Sequence, residues 1–388
     1  MKKKIAILGS TGSIGKCLIN ILQKDKKNFE IVLLTANENT KELLQQVKIF
    51  NVKNIIIINN KKFENTKKIL RNKNINIYNN FDSINKIFNK KKIDYTMNAV
   101  SGLDGLKPTL NIIKFTKKIA IANKESIICG WSLIKTKLKR YKTKFIPIDS
   151  EHFSIWSLIN EAKDHNIEKV FITASGGPFN NYPLNRFKSI TPEDALKHPN
   201  WKMGKKITID SSTMMNKIFE IIEAKKIFNF DYKKLSILVH PKSYVHAIVK
   251  FSNGLTKMLI HDTNMIIPIF NSLYPNYKKK IKSNKLNLSI MNNLDFKELD
   301  KIKFPVAKIL NLLPNNDSLF ETVIVSANDI LVKKFLNKEI KFLDISKLML
   351  KIINNKEFLK FKKITPKNID QITYLSHYVS LKINAICV

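Results

Sequence analysis

The stretch that decides the fold class lies at the start of the chain and reads Ile5-Ala6-Ile7-Leu8-Gly9-Ser10-Thr11-Gly12-Ser13-Ile14-Gly15. A short apolar run leads directly into a glycine-rich turn, and apolar residues then recur at helical spacing through Leu18 and Leu22. Glycines let the backbone turn tightly and approach a pyrophosphate, whose charge then lies over the N-terminus of the following helix. The pattern predicts a strand–turn–helix unit that binds a dinucleotide; an ordinary tight turn is the alternative.

Residues 1–150 alternate short β-like runs with stretches of helical periodicity. This alternation is typical of an α/β domain, in which helices cover both faces of a parallel sheet. The predicted strands are Ile5–Leu8, Ile31–Thr35, Asn54–Ile58, Ile75–Tyr78, Tyr95–Ala99, Lys118–Ala122 and Lys144–Ile148.

The remainder of the chain divides into three segments of different character. Residues 151–274 mix helical and β-like patterns, which predicts an α+β domain. Residues 275–303 are rich in lysine and asparagine with little periodicity, and we interpret them as a linker. Residues 304–388 show helical spacing and are expected to form a small helical domain. The strands predicted for the α+β domain are Val170–Ala174, Ile207–Asp210, Ser236–Val239, Tyr244–Phe251 and Thr256–Ile260.

The net charge of +37 raises the question of nucleic-acid binding. Only three of the 68 basic residues are arginines, and lysines are spread evenly instead of clustering. Nucleic-acid surfaces rely on arginine for bidentate and stacked contacts, so a lysine-rich, solvated surface is the better interpretation. The charge should still attract an anionic substrate, at a rate that falls as salt rises.

The cysteines and the N-terminus indicate a cytoplasmic protein. Cys17, Cys129 and Cys387 are odd in number and far apart, which favours a reducing compartment over a disulfide framework. The first apolar run ends after four residues, too early for a secretory signal, and no run approaches the roughly 20 apolar residues of a membrane span.

Two carboxylates separated by one residue follow the last predicted strand of the first domain. The sequence there is Ile146-Pro147-Ile148-Asp149-Ser150-Glu151-His152. Asp149 and Glu151 repel each other unless a cation or a proton lies between them, which suggests a metal site. The alternative is a helix N-cap at Asp149 or Ser150, with the helix beginning near Phe153. His152 beside them is more often structural than a ligand.

A hydroxyl-rich segment, Asp210-Ser211-Ser212-Thr213-Met214-Met215-Asn216-Lys217, leads to Glu220. Hydroxyls at a helix start, followed by Asn and Lys, can bind a phosphate without glycines. Asn216 and Glu220 are four residues apart and share a helical face. Lys217 and Glu220 could instead form an ordinary surface pair.

Two further loops suggest ligand contacts. Ser175-Gly176-Gly177-Pro178-Phe179 follows a predicted strand and offers a hydroxyl and backbone amides to an anion. His198-Pro199-Asn200-Trp201-Lys202-Met203-Gly204 carries a Trp and a Met in a loop, as expected of a flap that covers a substrate. A hydrophobic loop packed on the core is the alternative.

Together these motifs resemble the 1-deoxy-D-xylulose 5-phosphate reductoisomerase family. The resemblance implies a Rossmann-type N-terminal domain, a central catalytic and dimerisation domain and a C-terminal helical bundle. It spans nearly the whole chain, and the segments that carry it, in the family's order, are Gly9–Gly15, Ala122–Ser126, Asp149–His152, Ser175–Phe179, His198–Gly204, Ser211–Lys217 with Glu220, and His240–Ser243.

The resemblance also implies roles for individual residues. The implied ligands of Mg²⁺ or Mn²⁺ are Asp149, Glu151 and Glu220. The implied substrate-binding residues are Lys124, Ser150, Glu151, Ser175, His198, Ser211, Asn216, Lys217 and Glu220, of which Lys124, Glu151, His198 and Glu220 are also expected to be catalytic. The implied NADPH contacts are Thr11, Gly12, Ser13, Ile14, Asn39, Asn123, Glu125 and Gly204.

The implied activity is the conversion of 1-deoxy-D-xylulose 5-phosphate to 2-C-methyl-D-erythritol 4-phosphate, a step of non-mevalonate isoprenoid biosynthesis. A divalent metal would polarise the ketose for rearrangement, NADPH would deliver hydride, and phosphate binding would favour flap closure. The expected protein is a cytoplasmic homodimer that binds neither nucleic acid nor membrane.

The chain departs from the family pattern at Ile218, at Asn264-Met265-Ile266 and at Asn37-Glu38. An acidic residue such as Glu38 near the end of the second strand can bond a ribose 2′-hydroxyl and favour NAD, or it can simply point to solvent. Two rival functions are a related NADP-dependent dehydrogenase that acts on a small acid or semialdehyde, and a lysine-rich nucleic-acid-binding protein.

Overall fold

The computed structural model describes residues 1–89, 91–159, 166–201, 203–274 and 279–386, and it contains two compact units. The first unit comprises Met1–Ile127, Ser132–Asp149 and Met265–Ile281. The second comprises Ile128–Trp131, Ser150–Asn264 and Lys282–Val388. Cys387, positions 275–278 of the predicted linker and position 202 of the predicted flap lie outside the described residues.

The first unit is built on a seven-stranded sheet. Its strands are β1 Lys3–Leu8, β2 Phe29–Ala36, β3 Asn54–Ile57, β4 Asn76–Tyr78, β5 Tyr95–Asn98, β6 Lys118–Ile121 and β7 Lys144–Pro147. They lie in the order β4-β3-β2-β1-β5-β6-β7, and every neighbouring pair is parallel. All seven predicted strands are confirmed, and with them the α/β fold class.

The helices follow the strands in alternation through the first unit and dominate the C-terminal part of the second. In chain order they are α1 Ser13–Gln23, α2 Thr40–Phe50, α3 Asn60–Ile69, α4 Ile84–Phe88, α5 Leu106–Ile112, α6 Lys124–Tyr141, α7 Ser150–Ile159, α8 Pro192–Ala195, α9 Lys205–Ser212, α10 Met215–Phe228, α11 Ile266–Leu273, α12 Leu288–Asn292, α13 Phe320–Leu336, α14 Phe342–Ile353, α15 Lys356–Leu359 and α16 Ile369–Ile386. None of those in the described part of the chain combines the length and apolarity that crossing a bilayer requires.

Short apolar runs place the strands in the core of the first unit. Ile5 and Ile7 of β1 pack in one buried cluster with Leu18 and Leu22 of α1. Each such side chain contributes about 1.5–3 kcal/mol through burial. The core therefore fixes β1 against α1, and with them the glycine-rich turn that connects them.

The second unit contains a five-stranded mixed sheet with the order β11-β10-β8-β9-β12. The strands are β8 Ile167–Ala174, β9 Leu235–Val239, β10 Val245–Phe251, β11 Thr256–Ile260 and β12 Lys297–Glu298. β8 and β9 are parallel and the other pairs are antiparallel. Four of the five strands predicted for residues 151–274 are confirmed.

The predicted strand Ile207–Asp210 is wrong, because these residues lie within helix α9. Its β-branched residues favour a strand by propensity, but tertiary contacts override propensity here. Thr208 donates from its backbone N–H to Gly204 O at 3.1 Å, as in a helix, and Asp210 Oδ1 accepts a hydrogen bond from Asn328 Nδ2 of α13 at 2.7 Å. The helix expected near Phe153 begins three residues earlier, at Ser150.

The observed units also differ from the predicted domain boundaries. Residues 265–274 belong to the first unit, because Ile269 and Leu273 of α11 are buried in its core. The C-terminal helices belong to the same unit as residues 150–264. The predicted linker contains helix α12 and strand β12, and β12 pairs with β9.

Candidate active site

The glycine-rich turn of the first unit has the geometry of a dinucleotide-binding turn. Gly9 has φ +78°, and a Cβ on Gly15 would lie 2.4 Å from Gly9 O, so both positions require glycine. Gly12 precedes α1, and no side chain caps that helix. The backbone N–H groups of its first turn can therefore serve an anion such as a pyrophosphate.

The other predicted cofactor residues of the first unit follow strands of the same sheet. Asn39 lies just beyond β2, and Asn123 and Glu125 lie just beyond β6. The carboxyl ends of parallel strands meet at one edge, the edge where α/β sheets bind ligands. Asn123 is fixed there, since its Nδ2 donates to Gly102 O at 2.7 Å. Gly204 belongs to the second unit, where it precedes α9.

Lys124 and Asp149 pair at the same edge of the first sheet. Lys124 begins α6 after β6, and Asp149 follows β7. The Lys124 Nζ lies 3.0 Å from Asp149 Oδ2, and both side chains are largely buried. Asp149 is the last residue of the first unit, and the next peptide bond joins it to Ser150 at the start of α7.

In the second unit, Glu151 of α7 and Glu220 of α10 form a pair of buried carboxylates. Each offers an oxygen within 4.8 Å of the other. The Lys217 Nζ lies between them, 2.5 Å from Glu151 Oε1 and 2.6 Å from Glu220 Oε2. Two buried carboxylates at this distance repel each other unless a cation lies between them, and here the ammonium group supplies the charge.

Neighbouring side chains orient this pair. Asn216 Nδ2 donates to Glu220 Oε1 at 2.5 Å, and the Ser150 hydroxyl donates to Glu151. Lys217 and Glu220 are buried, so the alternative of an ordinary surface pair is wrong. Lys217, which the resemblance places at the substrate phosphate, contacts both carboxylates in this structure.

His152 lies directly behind the carboxylate pair and is completely buried. Its Nε2 donates to the backbone carbonyl of Glu220 at 2.9 Å, and its Nδ1 lies 3.4 Å from Glu223 Oε2. The histidine therefore links α7 to the backbone of α10. The sequence analysis gave Glu223 no role, although its spacing of three residues from Glu220 places it on a neighbouring part of the same helical face.

His198 and two serine hydroxyls form the candidate phosphate site. His198 Nε2 lies 3.2 Å from Ser175 Oγ and 3.1 Å from Ser211 Oγ. Its Nδ1 accepts hydrogen bonds from the backbone N–H groups of Asn200 and Trp201 at 3.2 and 3.0 Å. Because those groups can only donate, Nδ1 carries no proton, and the ring is the neutral tautomer with hydrogen on Nε2.

The surroundings keep His198 neutral. Burial, with a smaller contribution from the nearby Lys217 charge, lowers the pKa of His198 to about 4. Its Nε2–H points at the oxygens of Ser175 and Ser211, and the Gly177 backbone N–H also donates to Ser175 Oγ at 3.1 Å. Since these oxygens act as acceptors, both hydroxyl hydrogens can be donated to a bound anion.

The loop that contains the predicted flap is tied to a neighbouring loop. Asn200 Nδ2 donates to Pro241 O at 2.7 Å and to Ser243 Oγ at 2.8 Å. Trp201 stands edge-on to His246, with ring centroids 6.2 Å apart, and His246 stacks on His261. Sequence reasoning assigned no role to His246 or His261, and nothing in their spacing indicates this stack.

The fold and the site together define a class of protein. A parallel Rossmann-type sheet with an uncapped glycine-rich turn, and buried acidic and hydroxyl-lined sites, are typical of dinucleotide-dependent oxidoreductases that act on an anionic substrate. The family profile "1-deoxy-D-xylulose 5-phosphate reductoisomerase" matches residues 5–130. The profiles for its C-terminal domains match residues 145–228 and 261–379.

Curated relatives carry the same name. The 1-deoxy-D-xylulose 5-phosphate reductoisomerase of Pelagibacter ubique is 65% identical over 387 residues and covers 100% of both chains. That of Sulfurihydrogenibium is 35% identical and covers 96% of this chain and 95% of the relative. The chain belongs to the 1-deoxy-D-xylulose 5-phosphate reductoisomerase family, which confirms the expected enzyme class, an NADP-dependent oxidoreductase.

Solved structures of the family agree with this fold. The enzyme from Zymomonas mobilis in complex with NADPH is 29% identical, with a TM-score of 0.87, and covers 100% of this chain and 99% of that chain. A second reductoisomerase, in complex with NADPH, fosmidomycin and magnesium, is 28% identical with a TM-score of 0.90 and covers 99% of this chain and 98% of that chain. The expected cofactor classes, NADPH and a divalent metal, are thus present in structures of the family.

Proposed function

We propose that this chain converts 1-deoxy-D-xylulose 5-phosphate to 2-C-methyl-D-erythritol 4-phosphate with NADPH and a divalent metal. The observation that carries the proposal is the buried pair of Glu151 and Glu220, whose carboxylates hold the ammonium group of Lys217 between them. Asn216 and Lys217, which are expected to bind the substrate phosphate, lie on the same helix as Glu220. The reaction is a step of non-mevalonate isoprenoid biosynthesis.

Asp149, Glu151 and Glu220 would hold the metal. The donor set is all oxygen, which suits Mg²⁺ and Mn²⁺ alike. Bound there, the ion would act as a Lewis acid on the carbonyl and adjacent hydroxyl of the ketose. Lys217 occupies the position between two of these carboxylates, so its ammonium group would have to leave when the metal binds. Its flexible stem would then let it reach the substrate phosphate.

The phosphate would be bound by hydroxyl and ammonium donors of the second unit. Ser175 and Ser211 present their hydroxyl hydrogens because neutral His198 donates to their oxygens. Asn216 and Lys217 add an amide and a positive charge. Lys124 and Ser150 would lie beside the sugar. This binding, remote from the reacting carbons, would favour closure of the loop that carries Trp201.

NADPH would bind along the carboxyl edge of the first sheet and supply the hydride. The uncapped first turn of α1 suits its pyrophosphate. The residues proposed to contact it are Thr11, Gly12, Ser13, Ile14, Asn39, Asn123, Glu125 and Gly204.

One assay tests the proposed function. Purified full-length protein with the phosphorylated ketose and Mg²⁺ or Mn²⁺ should oxidise NADPH, and a chelator should reduce the rate to background because the carboxylates alone cannot polarise the ketose. Absorbance of NADPH is the measurement, and restoration by added metal is the control. Oxidation that needs no metal, or that requires a small acid or semialdehyde instead of the ketose, would favour the rival dehydrogenase.

We further propose a homodimer formed through the second unit. β11 ends its sheet and pairs only with β10 among the described strands. Leu255, which directly precedes this edge strand, is 57% exposed, and Met258 within it is 47% exposed. An open edge with exposed apolar residues is suited to pair with a second chain.

Light scattering should give a mass near twice the 44.9 kDa of one chain. Met258→Lys should shift the mass towards one chain, since a lysine on an edge strand opposes pairing. Leu381→Lys, which charges an exposed leucine of α16, is the matched control and should remain dimeric. A wild-type mass of one chain would refute the dimer.

We place the enzyme in the cytoplasm. Among the described residues, Cys17 and Cys129 are free thiols, as expected in a reducing compartment. Fractionation of the native cells, with the metal-dependent activity assayed in each fraction, checks this placement; recovery of the activity outside the cytoplasmic fraction would contradict it.

A further inference from the structure

The carboxyl end of β2 lies beside the glycine-rich turn. The Gly9 backbone N–H donates to Thr35 Oγ1 at 2.8 Å, and that of Ser10 donates to Thr35 O at 2.9 Å. A dinucleotide whose pyrophosphate rests on this turn directs its adenosine ribose towards the end of the second strand. Asn37, Glu38 and Asn39 occupy that place.

The backbone of this segment is fixed by its neighbours. Ile58 N–H donates to Ala36 O at 3.1 Å, and Asn59 N–H donates to Asn37 O at 3.3 Å. Asn39 Oδ1 accepts from the backbone N–H of Glu42 at 3.2 Å and so caps α2. Glu38 is therefore held at a defined point between an anchored strand end and an anchored helix start.

The Glu38 carboxylate is exposed, and within the described part of the chain no ion pair or hydrogen bond engages it. The positive charges on the neighbouring helices α1 and α2 come from lysines. Lys16 already pairs with Glu42 at 3.3 Å, and Lys41 stands in the first turn of α2. The first arginine of the chain is Arg71, so no guanidinium is available from α1, β2 or α2 for a ribose phosphate.

We propose that Glu38 is a specificity-determining residue that accepts a hydrogen bond from a ribose 2′-hydroxyl and repels a 2′-phosphate. The enzyme then accepts NADH alongside NADPH, with a preference for NADPH far weaker than a basic residue at this position would give. The reason is electrostatic: a carboxylate favours a hydroxyl donor and disfavours a dianion at hydrogen-bonding distance. The inference rests on the proposed function for its hydride chemistry, but its nucleotide selectivity is measurable by itself.

The first test is equilibrium binding of NADP⁺ and NAD⁺ to the full-length protein without ketose, measured by calorimetry. The second is turnover with NADPH and with NADH. For the wild type we expect dissociation constants for NADP⁺ and NAD⁺ within about tenfold of each other. Glu38→Lys should shift their ratio towards NADP⁺ by about tenfold or more, and Glu38→Gln should shift it less. Because Glu38 is exposed, both variants should keep the wild-type melting temperature.

Glu30→Lys is the matched control. It makes the same charge change on an exposed residue near the start of β2, roughly 20 Å from the carboxyl end of that strand. Its nucleotide ratio should equal that of the wild type.

A wild-type preference for NADP⁺ above about 100-fold that persists in Glu38→Lys and Glu38→Gln would overturn the inference. A ratio that shifts equally in Glu30→Lys would also overturn it, because the effect would then be one of net charge. Failure of the proposed function gives a different result, namely nucleotide binding with the expected ratios but no oxidation of either cofactor with the ketose.

Discussion

Replacing Glu220 with glutamine is expected to lower kcat by about 1000-fold or more while the fold survives, because the proposed metal site would lose one of its negatively charged ligands. Glutamine keeps the shape of the side chain but removes its negative charge. Glu220 is almost completely buried, at 1% exposure, and lies beside Glu151, so water cannot replace the missing ligand without rearrangement. The measurement is NADPH oxidation with the phosphorylated ketose at saturating metal.

Thermal unfolding separates loss of chemistry from loss of fold. In Glu220→Gln, Lys217 keeps its contact with Glu151, so the melting temperature should change by only a few degrees. Glu321→Gln is the matched control. Glu321 is an equally buried carboxylate that pairs with Lys226, and Lys226 keeps Asp317 as a partner, so Glu321→Gln should change the melting temperature to a similar extent while the activity per folded molecule is kept. Near-normal turnover by Glu220→Gln would remove Glu220 from the metal site.

The sheet of the first unit was predictable because parallel strands are buried on both faces. Such strands appear in sequence as short apolar runs between turn residues, as at Ile5–Leu8 and Tyr95–Ala99. The incorrect predictions concern segments whose conformation or position is determined by tertiary packing. Ile207–Asp210 has the β-branched composition of a strand, yet its backbone is helical. α11 returns to the first unit through buried contacts of Ile269 and Leu273 that no local pattern reveals.

The sequence indicated candidate residues for the site, but not the contacts that these residues make with one another. Motifs identified Glu151, Lys217 and Glu220 as functional candidates. The position of the Lys217 ammonium between two carboxylates depends on bringing together residues 66 positions apart. The same limit applies to His198, whose tautomer is set by the backbone N–H groups of Asn200 and Trp201. Local spacing contains no information about such contacts.

The ion pairs of Lys226 are a second result of folding that the sequence did not indicate. Lys226 of α10 is buried, and its Nζ lies 2.6 Å from Asp317 Oδ1 and 2.8 Å from Glu321 Oε1, a residue of α13. Burial by itself would lower the pKa of Lys226, but the carboxylates of Glu321 and Asp317 outweigh burial and raise it. The ammonium form is therefore the stable one in the folded protein.

Lys226→Met is expected to lower the free energy of unfolding by about 3–5 kcal/mol, because it leaves the buried Glu321 charge without its partner. Denaturant unfolding at pH 7 is the measurement. The double variant Lys226→Met/Glu321→Gln should recover part of the loss, since it also removes the stranded charge. A single-variant loss below about 1 kcal/mol, or no recovery in the double variant, would contradict this account.

The pH dependence of stability tests the same pair with the wild-type side chains in place. A lysine whose pKa is higher in the folded than in the unfolded protein contributes stability that is fully present below its unfolded value, about 10.4. The contribution is lost as pH rises through the folded-state value. The difference in unfolding free energy between wild type and Lys226→Met should therefore stay constant from pH 7 to about pH 9 and shrink above about pH 10.4. A difference that stayed constant or grew above about pH 10.4 would contradict this account, because loss of the ammonium charge can only weaken the ion pairs of Lys226.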